Sequence, residues 1–428
     1  MKRLLLAILA FSTLCIAHAQ VWDVLDIVKA DRQKASACEG PYRFDAPALT
    51  PSPKGYRPYY ISLYARHGSR YAYDSGTYTR PLGQLLRAAD ASLLTPRGEQ
   101  LMKDYLDFCE EPITNTGDLV ALGFEQHQRI AEQMYDAFPK VFRSDRRAVA
   151  HGSTTPRAIV SMGAFCLGLQ KKAPHLTITE DSYHIYLPVT ATRGAPRALL
   201  EDREGLPGLP GGETLRHFQE RTFDYEGILG RLFTDASFMT KDEQTDLIRD
   251  LYFIWGGYHN YCDSDFLEDL FTPEQIASLW EADNYDRYTD HSLHRYDHLV
   301  LVNDIVAKAD EALAGGDVCC DMRFGHDHVL NALYPLLNLG GSGALPVGAD
   351  DVKYWFQTYN TPMASNIQFV LYTRRHGSGD VLFKVLHNGT ETTLPQLTPV
   401  TGPYYRWEDF KAWVAAMNEA HPVKKNKE

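Results

Sequence analysis

Tyr59-Tyr60-Ile61-Ser62-Leu63-Tyr64-Ala65-Arg66-His67-Gly68-Ser69-Arg70 is the stretch on which the reading of this chain turns. Tyr59 to Leu63 has the apolar, β-favouring character of a buried strand, and that strand runs out into a histidine set between arginines. Far along the chain, Arg323-Phe324-Gly325-His326-Asp327-His328 repeats the arrangement, and the helix-like stretch Val329 to Leu339 follows it. Cation-rich turns at strand ends and helix N-termini are where α/β folds hold anionic ligands. An Arg-His-Gly-x-Arg run joins a nucleophile of pKa about 6.5 to two permanent cations. That combination suits a phosphoryl group.

Further segments carry a resemblance. With Leu119-Val120-Ala121-Leu122-Gly123-Phe124-Glu125-Gln126 and Ser153-Thr154-Thr155-Pro156-Arg157-Ala158-Ile159-Val160-Ser161-Met162, the chain resembles the histidine phosphatase superfamily. Within its acid phosphatase and phytase branch, it most resembles the multiple inositol polyphosphate phosphatases. Met363 to Tyr372 and Val381 to Pro395 are similar to the closing strands of that family. The likeness is patchy over roughly residues 55 to 415 and weakest between roughly 170 and 300. It implies an α/β fold with a mixed central sheet flanked by helices and an inserted, mostly helical lobe. It also implies hydrolysis of small phosphate esters, inositol polyphosphates among them, with no metal and no cofactor.

On this resemblance His67 is the nucleophile, and attack in line would give a phosphohistidine, splitting hydrolysis into two easier steps. Phosphoryl transfer needs positioning and charge neutralisation above all. Arg66, Arg70, Arg157 and His326 are the residues expected to supply fork-shaped or ring N–H donors to the nonbridging oxygens. The leaving alcohol needs a proton. Inositol polyphosphate phosphatases resembling this chain usually carry His-Ala-Glu with the Glu as donor, and many bacterial acid phosphatases and phytases carry His-Asp with the Asp in that role. Asp327 fits the second pattern and is preferred; His328 stands in the slot of the Glu and stays a candidate. A helix N-terminus and nearby arginines lower an aspartate's pKa, while a bound phosphate dianion opposes the shift. Either residue could instead cap the helix.

Two other functions fit the same residues: a general acid or sugar-phosphate phosphatase, and a non-catalytic phosphate binder. Residues 1–19 read as a signal peptide, with Lys2 and Arg3, the apolar run Leu4 to Ile16 and Ala17-His18-Ala19, so the mature chain is expected in the periplasm or medium. Cys15 follows the bulky Leu14, which argues against a lipid anchor. Removing Lys2 and Arg3 from the 43 basic residues leaves 41 against 55 acidic ones, a formal charge of −14. So acidic a chain repels polyanions at long range, which argues against nucleic acid as a partner. No later apolar run is long enough to span a membrane.

Cys38, Cys109, Cys166, Cys262, Cys319 and Cys320 would survive processing, and an even number in an exported chain favours at least one disulfide. Residues 20–190 and 315–428 are expected to form the core, and 191–314 the helical lobe over the site. That lobe reads as helices over Glu213–Phe233, Lys241–Tyr261, Thr272–Ala282 and Thr289–Ala314. Residues 21 to 55 read as an arm wrapping the core. His291, His294 and His298 fall at i, i+3 and i+7 of the last helical pattern; the spacing could hold a metal, but exposed histidines are the commoner outcome. Arg374-Arg375-His376-Gly377 lacks a following arginine and reads as a loop. Tyr71, Tyr73 and Asn366 are further candidates for the pocket wall.

Overall fold

The computed structural model describes residues 24–143, 145–196, 199–374 and 379–424. The leader at 1–19, Cys15 and the Arg375-His376-Gly377 loop lie outside them. Strand β1, Tyr56–Arg66, sits in the middle of an eight-stranded sheet with β2 Arg147–Gly152, β3 Thr177–Asp181, β4 Val318–Gly325, β5 Asn366–Arg374, β6 Leu382–His387, β7 Thr390–Thr392 and β8 Tyr405–Arg406. The order is β3-β2-β4-β1-β5-β6-β7, with β8 beside β6. Strands β3, β2, β4 and β1 run parallel, and β5 turns antiparallel on the far side of β1. Asn388 and Gly389 close the β6–β7 hairpin with φ of 51° and 78°, the positive values that a type I′ turn demands.

Both faces of β1 are buried, as a parallel sheet requires. Ile61, Leu63 and Ala65 point to one side, among Phe165, Leu169 and Met134 from the helices Ala121–Ala137 and Pro156–Lys172. Tyr60 and Tyr64 point to the other, against the helices Leu299–Leu313, Asp327–Leu336 and Trp407–Ala420. Arg323 lies inside this core, answered by Asp304, Asp321 and the Ser62 hydroxyl.

The segment 191–314 does not pack as one unit. A third apolar cluster joins its helices at 215–290 to residues 24–37, the helices Gly76–Asp90 and Pro96–Thr114, and Ala349 to Phe356. The helix Leu299–Leu313, from the same segment, instead covers the sheet. The apolar stripe of Leu299, Leu301, Val302 and Ile305 decides this, since it matches the tyrosine face of β1. Expected helices also break: Asp224 caps a new helix and splits 213–233 into Leu215–Thr222 and Tyr225–Leu232. The expected helix Thr289–Ala314 is interrupted by a 3₁₀ turn over Ser292–His298.

The six cysteines of the described chain are unpaired, five of them buried, against the expectation of a disulfide. Cys319 and Cys320 are consecutive residues of β4, where side chains point to opposite faces, so neither can bridge the other.

The turn after β1 is pressed against the start of the helix Ala121–Ala137. A Cβ on Gly68 would lie 2.6 Å from Gly123 Cα, and one on Gly123 would lie 2.7 Å from Ser69 N. Gln126 then clamps this turn, its Oε1 accepting from Ser69 N at 3.0 Å and its Nε2 donating to Ser69 Oγ at 2.9 Å. Gly123→Ala is therefore expected to cost about 1–3 kcal/mol by overpacking. Activity should fall with it, since His67 moves; urea melts and turnover together check this, and unchanged values for both contradict the packing.

Candidate active site

Three neighbouring parallel strands end at one place. β1 delivers Arg66 and His67, β4 delivers Gly325 and His326, and β2 leads through Ser153 to Arg157 in the first turn of the next helix. Backbone bonds lock the ends together: His67 N donates to Gly325 O at 2.9 Å, and Ser153 N to Phe324 O at 2.9 Å. The Tyr64 hydroxyl accepts from His326 N at 3.0 Å and donates to Thr190 O at 2.7 Å. Gly325 leaves room for this, since a side chain there would meet both Tyr64 Oη and Thr190 O. The strand ends open into a cleft of about 430 Å³ that His67, Arg70, Tyr73, Arg157, Arg287 and His326 help to line, along with Asp327 and His328.

His67 Nδ1 lies 3.0 Å from Gly68 O. A carbonyl can only accept, so Nδ1 carries the proton and Nε2 keeps its lone pair. Burial, reinforced by Arg66, Arg70 and Arg157, holds the ring well below its usual pKa, so it stays neutral. The His326 ring is centred 5.7 Å from it and is also neutral, lowered to about 3 by burial with His328 and Arg157. Ser153 Oγ holds His326 Nε2 at 2.9 Å.

The guanidinium groups are under-used. Arg66 Nε and Nη2, Arg70 Nε and Arg157 Nε are buried without a hydrogen-bond partner. Unpaired buried donors are costly, and two of these arginines, Arg70 and Arg157, line the cleft, which suits it to an anion. Arg157, lowered to about 10 by burial and Arg70, is still a cation at neutral pH. Arg66 is fully buried and spends Nη1 on Cys38 O and Thr361 O, so it lies behind the cleft wall rather than on it.

Two groups here escape sequence reasoning. Glu39, from the arm, places its carboxylate 3.6 Å from Arg66 Nη2 and 3.5 Å from Arg70 Nη2, while being 4% exposed. Arg287 reaches in from the helix Pro273–Asp290, with Nη1 3.7 Å from Asp327 Oδ2. No motif surrounds either; the Asp283/Arg287 spacing on one helix face is the sole local signal. Asp327 itself is pulled up by burial, but Arg66 and Arg287 outweigh this and hold it well below the usual carboxylate range. Its Oδ1 accepts from His328 N at 3.0 Å. His328 stacks on His326 at 5.3 Å, and both proton-donor candidates face the cleft.

Other expectations divide. Tyr73 lines the cleft, whereas Tyr71 is buried with its hydroxyl on Glu111, and Asn366 is buried beside Tyr42. His291, His294 and His298 do not form an exposed face: the first and last are 6% and 0% exposed where the helix breaks. Among the described residues the group with metal-ligand spacing is Cys38, Glu39 and Asp327. Arg66 already stands 3.6 Å from both carboxylates and would repel a cation there. No helix among the described residues is long and apolar enough to cross a membrane.

Solved structures share this architecture. The multiple inositol polyphosphate phosphatase of Bifidobacterium longum, complexed with inositol hexasulfate, superposes with a TM-score of 0.70 at 17% identity, covering 90% of this chain and 98% of that one. The chain has that fold. The phytase of D. castellii matches with a TM-score of 0.64 at 12% identity, over 93% of this chain and 86% of its own. The phytase of Citrobacter braakii matches at 0.54 and 12%, over 84% and 98%. No family model matches the sequence, and no curated protein matches it.

The buried histidines make stability depend on pH. His67, His127, His298 and His326 all have lowered pKa values in the fold, while the unfolded chain takes up their protons near pH 6.5. Stability is therefore lost as pH falls below that value, by up to about 1.4 kcal/mol per histidine per pH unit. Asp283, raised to about 6 by burial, works weakly the other way. The melting temperature should drop from pH 7 to pH 4; a flat or rising profile contradicts neutral buried histidines.

Proposed function

We propose that this chain is a phosphomonoesterase that hydrolyses inositol polyphosphates through a phosphohistidine on His67. One observation carries the reading: a neutral histidine with a bare Nε2 lines a cleft together with Arg70 and Arg157, each of which has a buried Nε without a partner. Nε2 attacks phosphorus in line. Arg70 and Arg157 bind the nonbridging oxygens from the cleft wall, with His326 beside them and Arg66 adding its charge from behind. Asp327 gives its proton to the leaving oxygen and, as a carboxylate, takes one from the water that splits the phosphohistidine. The substrate class is supported by the fold shared with a phosphatase solved with inositol hexasulfate, and by a cleft within the usual 300–1,000 Å³ of ligand sites. Export rests on the leader pattern at 1–19.

Phosphate release from inositol hexakisphosphate, glycerol 2-phosphate and 4-nitrophenyl phosphate tests this. Preference for the first supports the reading, equal rates favour the general acid phosphatase, and release from none refutes catalysis. Asp327→Asn should slow inositol hexakisphosphate by about 10²–10⁴-fold and the nitrophenyl ester far less, because nitrophenolate leaves without a proton. If that dependence on leaving group appears in His328→Asn instead, the acid role belongs to His328.

A further inference from the structure

Arg287 has no part in holding the scissile phosphate as described so far, yet it lines the cleft beside the proton donor. Its side chain is 18% exposed, and its ionic contacts are long: 3.6 Å from Nε to Asp283 Oδ1 and 3.7 Å from Nη1 to Asp327 Oδ2. Nε makes no hydrogen bond, and neither does the buried Asp283 Oδ2. A cation held by charge alone, at distances beyond hydrogen bonding, can be drawn away by a stronger anion. The local charge is also finely balanced. Four guanidinium groups, on Arg66, Arg70, Arg157 and Arg287, share the cleft and its wall with the four carboxyls of Glu39, Asp283, Asp290 and Asp327. With cations and carboxyls equal in number, an arriving phosphate dianion adds unmatched negative charge and favours proton uptake by a carboxyl nearby.

We propose that Arg287 is a positioning residue that couples the leaving-group acid to the substrate's other phosphates. Its guanidinium, 3.7 Å from Asp327 Oδ2, favours the carboxylate form of Asp327. A second phosphate, next to the scissile one, draws the guanidinium off, and Asp327 then holds a proton. In the chemical step the His67 Nε2 lone pair forms the N–P bond and the P–O ester bond breaks. The Asp327 proton moves to the leaving oxygen, and Asp327 returns to a carboxylate. A polyphosphorylated ester thus activates its own acid catalyst, whereas a lone monoester leaves Arg287 where it is. Other groups bear on Asp327: Arg66 from β1, Cys38 and Glu39 from the arm, Arg157 from the helix Pro156–Lys172, Asp283 and His291 from around the helix Pro273–Asp290, and His326 and His328 beside it. Among the described residues Arg66 and Arg287 stand within 4 Å of Asp327, and of these two Arg287 is the one that lines the cleft.

The inference rests on the phosphatase reading, and wild-type turnover establishes that reading separately. Arg287→Gln should lower kcat/KM for inositol hexakisphosphate by about tenfold or more, as loss of a coupling interaction does. On glycerol 2-phosphate the same variant should gain kcat, and its alkaline limb should move up by about 1–3 pH units, because Asp327 loses a cationic partner. Arg287→Lys, which keeps the charge, should stay near wild type on the monoester; melting temperatures of both variants report folding. Opposite changes on the two substrates support the coupling. An equal fall on both, or no change on either, overturns it. A wild type that turns over neither substrate sinks the phosphatase reading and this inference with it.

Discussion

Packing several guanidinium groups against one another, out of water, is the constraint on which this structure depends. Like charges in a poorly solvated cleft repel, and each unpaired N–H there costs free energy. The fold meets this with carboxylates placed among the cations: Glu39 between Arg66 and Arg70, and Asp327 between Arg66 and Arg287. Breaking such a buried pair by removing one partner costs roughly 3–5 kcal/mol, so Glu39 is as much a part of the site as the arginines. Among the described residues the carboxylates leave several guanidinium N–H groups without an acceptor. A phosphate matches those donors in sign.

The rest of the architecture holds this charge cluster still. Parallel strands β2, β4 and β1 bring their C-terminal ends side by side, where open α/β sheets bind ligands, and backbone bonds tie the three ends together. Glycines at 68, 123 and 325 let backbones meet closely enough that Gln126, Tyr64 and Ser153 reach the turns they fix. The apolar helices at 215–290 bring Arg287 from outside the sheet. Rigidity of the strand ends and looseness of Arg287 are complementary: the first orients the nucleophile, the second lets charge redistribute.

Much of this was legible in the sequence, for physical reasons. The strands β1, β4 and β5 are long, apolar and bounded by turn residues, so their positions follow from pattern alone. His67, Arg157, His326 and Asp327 sit in contiguous motifs at strand ends, and the structure gathers them. Glu39 and Arg287 were not legible, because their roles come from contacts across the fold and not from neighbours in the chain. The break near His291 escaped notice because the periodic pattern continues through a turn that the packing of Ser292 and His298 enforces. Which apolar faces of the helices at 215–313 meet was hidden for the same reason, since it depends on the sheet and the helices they cover.

The central claim is that His67 Nε2 becomes covalently phosphorylated. Rapid acid-free quenching of the enzyme during turnover of ³²P-labelled inositol hexakisphosphate tests it most directly. The account predicts a label on His67 that survives base and is lost in acid, and none on His67→Ala. A labelled His67→Ala protein, or turnover with no label trapped at any time point, would contradict it.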